Sequence, residues 1–247
     1  IHTGEGTSIE ALSSVGFDIY KTKEMEDLLI WIRSYNKTAK KGEDISFYGF
    51  DMQRYEICYK FLLESAKKAG INTDELEDIW DFDKDEYLST YSSKEIEKVI
   101  KDTGEQLIKK GEKKNSKAVH FADILLQNIE IGKYINDSAK LNIWRDKFMA
   151  DNVMWILKQE EEKGNKCIFI SGHNSHIRKL GSYDENSKVM GNILSDELKD
   201  KYFVIGTDFY KSKCNLPKGK NNKRINHTFY SHDPMAKASK KCGYDIS

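Results

Sequence analysis

Apolar residues recur along this chain at two spacings, and the change from one to the other divides it. Over residues 22–39 the period is helical: Leu28, Ile32 and Tyr35 fall three or four apart, Thr22 can cap the helix, and Glu24 and Glu26 sit in its first turn. Gly42 ends that region. The run Ile45-Ser46-Phe47-Tyr48-Gly49-Phe50 then reads as a buried strand. A second helix comes next, through Ile57, Phe61, Leu62 and Ala66 to a stop at Gly70.

From residue 73 to 142 the pattern is helical almost throughout, with three- and four-residue spacing over Ile96–Ile108 and Val119–Ile135. Strand signals return at Cys167–Ile170 and Tyr202–Thr207, and weakly at Asn226–Tyr230; a last helix starts near Asp233-Pro234 and stops at Gly243. Strands alternate with helices at both ends, around a helical block. This predicts an α/β fold with a partly parallel central sheet, flanking helices and a helical insertion over residues 73–142. Such sheets place their sites at the C-terminal ends of strands, which directs attention to the residues just after Phe50 and just after Ile170.

After Ile170 comes Ser171-Gly172-His173-Asn174-Ser175-His176. Gly172 lets the chain turn sharply off the strand. Histidines three apart can face the same way in a turn or short helix, and each can serve as base, acid or metal ligand near neutral pH. Asn174 can orient an imidazole or donate to a developing oxyanion. After Phe50 comes Asp51-Met52-Gln53, where Asp51 can cap the next helix, bind substrate or orient a histidine.

The stretch 144–158 adds a third feature. At 3.6 residues per turn, Arg145, Met149, Asn152 and Ile156 form one stripe, and Asp146, Ala150, Val153 and Leu157 the adjacent one. Trp144, Phe148 and Trp155 flank these stripes, and Lys147, Asp151, Met154 and Lys158 remain as the wet face. Arg145, Asp146 and Asn152 therefore turn inward, where unpartnered polar groups cost several kcal/mol; they must meet other polar groups, in an ion-pair network or a site wall.

Composition narrows the function classes. Forty Lys plus Arg balance forty Asp plus Glu over 247 residues, so no global basic field invites nucleic acid or an anionic membrane. No window approaches the roughly 18 apolar residues of a membrane span. Four scattered cysteines without a CxxC read as isolated thiols, which leans towards the cytoplasm. His120, His227 and His232 lack paired ligand spacing and read as surface or structural residues. The lysine clusters at 109–114 and 218–224 read as solvated helix ends and loops.

Together, Tyr48-Gly49-Phe50-Asp51-Met52-Gln53, Arg145-Asp146-x-x-Met149-Ala150-x-Asn152-x-x-Trp155 and Gly172-His173-Asn174-x-His176 resemble the erythromycin esterase family in content, order and spacing. Weaker likeness extends to Glu24–Asn36, to Met190-Gly191-x-x-Leu194 and to Asp233-Pro234-Met235-Ala236. The resemblance implies one α/β domain with a deep cleft, incomplete at both ends here. It further implies hydrolysis of a lactone or ester, macrolides included, by histidine-activated water without a covalent intermediate.

Carried over to this chain, His173, His176, Arg145 and Asp51 are the expected catalytic residues, and Asn174, Asp146, Asn152, Gln53 and Met149 the expected substrate-binding ones. A small molecule is the expected partner, with no cofactor and no resident metal. The family's upstream Gly-Glu-x-x-His-Gly segment and a downstream glutamate have no match here, so the chain reads as a middle fragment. Two other functions fit the same residues: a metal-dependent hydrolase using His173, His176 and a carboxylate, and a non-catalytic small-molecule-binding protein.

Overall fold

The structure, a computed structural model, describes residues 5–40, 42–79, 93–114, 116–184, 187–218 and 223–242. It divides into two units, residues 1–202 and 203–247.

The first unit is helical. Its elements are α1 (Ser8–Ser13), α2 (Lys23–Asn36), α3 (Glu56–Lys68), α4 (Asp74–Asp78), α5 (Ser93–Lys109), α6 (Lys117–Gly132), α7 (Ser138–Glu162), α8 (Asn174–Ile177) and α9 (Met190–Leu198). Thr22 caps α2 as its sequence suggests, accepting the Met25 N–H. The buried stripe of α2 is Leu29 and Ile32, while Leu28 and Tyr35 lie on the exposed side. In α3 the buried set is likewise Tyr59, Leu62 and Ala66, with Ile57 and Phe61 outward. Both helices carry more apolar residues than one face can bury, so their spacing alone does not select the inner face. Gly70 ends α3 in the left-handed conformation (φ +68°), which glycine adopts without a Cβ clash.

The helical block expected over 73–142 is present as α4, α5 and α6, with residues 80–92 outside the described set. Its core joins Tyr59 and Leu62 of α3, Leu76 of α4, Ile96, Ile100 and Leu107 of α5, and Val119, Leu125 and Ile129 of α6. Along α7 the expected division holds in part, with Arg145 and Leu157 (expected inward) and Met154 (expected outward) all half-buried. Asp146, Met149, Ala150, Asn152, Val153 and Ile156 are buried, and Lys147, Asp151 and Lys158 are exposed.

The expected central sheet is the point of difference. Residues 45–50, 167–170 and 202–207 form no β-ladder, and the paired strands among the described residues are two antiparallel ones in the second unit. The strand periodicity is nonetheless real: Ile168 and Ile170 are half-buried, whereas Phe169 between them is 91% exposed. Alternation dictates an extended backbone, but a sheet also needs a neighbour at hydrogen-bonding distance, which a local pattern does not specify.

In the second unit, β1 (Lys211–Lys218) pairs with β2 (Lys223–Tyr230), Lys211 opposite Tyr230 and Cys214 opposite His227, and α10 (Pro234–Cys242) comes after them. Only the end of β2 was expected from the pattern. The signal for β1 is the alternation Lys211-Ser212-Lys213-Cys214-Asn215-Leu216, hidden by its polarity and by Pro217. Asp233 caps α10, accepting the N–H groups of Met235 and Ala236 with Pro234 in the first turn.

Candidate active site

Three segments converge on the inner face of α7. The first is residues 50–53. The Asn152 amide donates to the Phe50 carbonyl (3.0 Å), and the Asn128 amide of α6 donates to the Met52 carbonyl (3.0 Å). Gripped on either side, Asp51 is held towards Arg145, which donates from Nη2 at 2.7 Å and from Nε at 3.2 Å to Oδ2. Asp51 Oδ1 also accepts the Gln53 N–H at 3.3 Å. Burial would lower the Arg145 pKa, but the Asp51 hydrogen bond and charge outweigh it and hold the guanidinium firmly cationic.

The second segment is α8. His173 is its N-cap, and His173 Nδ1 accepts the Ser175 N–H at 3.2 Å with the Ser175 hydroxyl at 2.7 Å. One turn on, His176 Nδ1 lies 2.8 Å from Asp146 Oδ1. The two rings meet edge to face, centroids 6.4 Å apart. The third segment is the N-terminus of α9, whose Met190 N–H donates to the same Oδ1 at 3.0 Å. Close approach makes this possible. A Cβ on Gly191 would lie 2.2 Å from the Ile177 carbonyl carbon and oxygen, so no larger residue lets α9 sit against the end of α8.

Asp146 is 0% exposed, and its neighbours account for both oxygens: His176 and Met190 on Oδ1, the Tyr183 hydroxyl on Oδ2. A buried carboxylate persists only with such donors, and the positive end of α9 adds to them.

These partners assign opposite tautomers to the two histidines in their neutral forms. His176 faces an anion through Nδ1, so Nδ1 carries its proton and Nε2 its lone pair. His173 accepts a backbone N–H at Nδ1, so its proton is on Nε2. One ring can take a proton and the other can donate a hydrogen bond, which are the complementary halves of acid–base work.

The expected site residues therefore separate by position. Asp51 with Arg145 forms one polar pair, and Asp146, His176 and His173 form a second set, the two meeting where Arg145 and Asp146 are chain neighbours on α7. Asn174 and Gln53 lie in the same two segments, Asn174 exposed and Gln53 half-buried. Met149 is buried in the packed face, and the Asn152 amide is engaged with Gln127 in both directions (3.0 and 2.9 Å) as well as with Phe50. Tyr183, Asn128 and Gln127 escaped sequence reasoning. For Asn128 a signal existed, since it lies on the apolar stripe of α6 between Leu125 and Ile131, as Asp146 does on α7. Tyr183 lies in an irregular loop with no such periodicity to flag it.

His120 is elsewhere, buried and stacked on Trp155 (centroids 3.8 Å apart, 5° between planes), and burial pushes its pKa down to about 4. Among the described residues no three His, Cys, Asp or Glu side chains converge as metal ligands, and no helix is long and apolar enough to cross a membrane.

The family model for erythromycin esterase matches residues 1–228. A curated Escherichia coli protein, erythromycin esterase type II, is 26% identical over 246 residues, covering 84% of this chain and 57% of its own length. Two crystal structures share the fold. A Bacillus cereus protein has a TM-score of 0.72 at 24% identity, over 94% of this chain and 59% of its own. A succinoglycan biosynthesis protein has a TM-score of 0.66 at 20% identity, over 92% and 58%. The chain thus spans less than three-fifths of the length of these proteins.

Proposed function

The chain belongs to the erythromycin esterase family, and from that premise we propose that it contributes the histidine wall of a hydrolase active site that opens esters or lactones, macrolide-type lactones among them. The observation that carries the reading is the opposed pairing of the two Nδ1 atoms, His173 Nδ1 against the Ser175 N–H and His176 Nδ1 against the buried Asp146 carboxylate, from which opposite tautomers follow.

His176 accepts a proton from attacking water at Nε2, with Asp146 holding the ring and stabilising the imidazolium that forms. His173 donates from Nε2 to the oxygen on which negative charge develops; one preorganised donor of this kind is worth on the order of 3 kcal/mol of barrier. Arg145, oriented by Asp51, adds positive charge beside the reacting carbonyl. The carbonyl carbon gains the water oxygen and loses the alkoxy oxygen, and the proton taken by His176 passes to that leaving group. The resemblance adds a further histidine and glutamate that have no match in this chain.

The test is turnover of p-nitrophenyl acetate and of an erythromycin-type lactone by the protein in its natural length, from pH 6 to 9, with ring opening read as the mass of one added water. Hydrolysis that falls by about 10²–10⁴ in His176→Ala supports the reading. Absence of turnover on every ester and lactone across that range sinks it.

A further inference from the structure

Tyr183 joins the polar group although neither the sequence pattern nor direct contact with the histidines brings it to notice. Its segment is a short turn back on itself. Val189 N–H donates to the Gly181 carbonyl (3.1 Å), Tyr183 N–H donates to the Ser187 carbonyl (3.0 Å), and Ser182 and Lys188 form an isolated antiparallel bridge. A Cβ on Gly181 would lie 2.3 Å from Val189 Cγ2, so the two ends close only because residue 181 lacks one. The Asn192 amide, in the first turn of α9, donates to the Gly181 carbonyl at 3.2 Å. Loop and helix are thus fastened to each other, and each delivers one donor to Asp146: Met190 N–H to Oδ1 and the Tyr183 hydroxyl to Oδ2.

Resting on the function proposed above, we propose that Tyr183 is a positioning residue that sets the proton affinity of His176 through the second oxygen of Asp146. The carboxylate shares its negative charge between two oxygens. What the phenol draws from Oδ2 is withheld from the imidazole on Oδ1. Without the phenol, Oδ2 is an anionic oxygen in a fully buried position with no remaining donor among the described residues, and the same charge falls more strongly on His176. The geometry also keeps the phenol in its donor form. Burial, and then the hydrogen bond and charge of Asp146, push its pKa up against the opposing charges of Arg145 and Arg178.

Two variants at one atom test this. Tyr183→Phe keeps the ring and removes the donor; 3-fluorotyrosine at position 183 keeps the shape and strengthens the donor. The readout is the pH dependence of kcat/KM with p-nitrophenyl acetate, alongside ¹⁵N NMR titration of the His176 ring. In Tyr183→Phe the acidic limb and the His176 midpoint move up by about half a pH unit, a roughly threefold gain in proton affinity, and in the fluorotyrosine protein both move down. Curves from both variants that superimpose on wild type overturn the proposal and leave Tyr183 a packing residue. If the wild-type protein turns over no ester, the hydrolase reading fails, and the NMR titration still decides the role of Tyr183. Should Tyr183→Phe fold poorly, the fluorotyrosine protein alone carries the test.

Discussion

Helix α7 buries two carboxylates, Asp146 in its third turn and Glu160 near its end, about 21 Å apart along the axis and within roughly 40° of the same face. Their surroundings differ in kind. Glu160 Oε1 accepts the Tyr48 hydroxyl (2.6 Å) and Lys163 Nζ (2.5 Å), and Oε2 accepts the Asn165 amide. Lys163 reaches on to Ser46 Oγ at 3.2 Å. There the negative charge is neutralised directly by a cation, and the product is a clamp between the end of α7 and the start of the extended segment 45–50. Asp146 has no lysine or arginine bonded to it among the described residues; its partners are a backbone N–H, a phenol and an imidazole. Its chain neighbour Arg145 is bonded to Asp51 instead. A carboxylate paired with lysine is chemically quiet. One whose charge is shared among neutral donors, an imidazole among them, keeps proton affinity to lend.

The largest expected effects come from removing each charge without changing shape. Asp146→Asn presents an amide to His176 Nδ1, removes the preference for a proton there and releases the Nε2 lone pair from its role. Hydrolytic kcat is expected to fall by about 10²–10⁴, with a modest loss of stability. Glu160→Gln leaves Lys163 without its carboxylate. It is expected to cost about 1–2 kcal/mol of unfolding free energy, since the Lys163 side chain is 44% exposed and remains hydrated, with kcat per folded molecule within about twofold of wild type. Urea unfolding and initial rates on the same preparations separate the two. A Glu160→Gln protein that loses activity as Asp146→Asn does would erase the distinction between the ends of α7.

How much of this was legible beforehand depends on the range of the interactions. The inward turn of Asp146 and Asn152 could be read because one helix's period fixes it; Arg145 and Leu157, expected inward, and Met154, expected outward, are all half-buried. His173 and His176 could be placed together because four consecutive residues make the turn that joins them. Their partners are a different matter. Asp146 lies 30 residues from His176 and 37 from Tyr183, and Asp51 lies 94 from Arg145. Those pairings depend on how α7, α9 and the 181–189 loop pack, which no local pattern states. The expected central sheet is not formed among the described residues for the same reason: alternation at 167–170 is local, whereas the neighbour that would make it a ladder is not.

An effect of pH sharpens the comparison using buried groups alone. Burial favours neutral Glu160, but Lys163, Tyr48 and Asn165 more than offset it and bring its pKa down to about 2. Its folded pKa lies below the unfolded value of roughly 4.3, so its contribution is complete above that value and is lost as pH falls towards 2. His120 also has a depressed folded pKa, about 4 against roughly 6.5 unfolded, because its ring is buried against Trp155. Above pH 6.5 it is neutral in both states and contributes nothing to the pH dependence. Between 6.5 and 4 the unfolded chain takes up a proton that the folded one resists, and stability falls by up to about 3 kcal/mol. Unfolding free energies measured at intervals from pH 7 to 4 are expected to show that slope in wild type. In His120→Phe, which keeps a ring on Trp155 without a titrating group, the slope is expected to be much shallower. An equal slope in both proteins would reassign the loss to other groups.

The smallest effect is expected on the opposite side of α7, and its smallness is informative. Lys147 and Asp151 are 2.8 Å apart at i,i+4, and each side chain is about half exposed. Exposed pairs of this type contribute a few tenths of a kcal/mol, and lysine preceding the acid is the weaker orientation against the helix dipole. Lys147→Ala also gains helix propensity, which offsets part of that loss. The net change is expected to stay within about 0.5 kcal/mol, a shift of one to two degrees in Tm for a chain of this size. Lys147 is the immediate neighbour of Asp146, so a large loss at 147 would mean that the helix is rotated from the orientation that buries Asp146. The near-silent substitution therefore checks the facing of α7 on which the placement of Asp146 against His176 and Tyr183 depends.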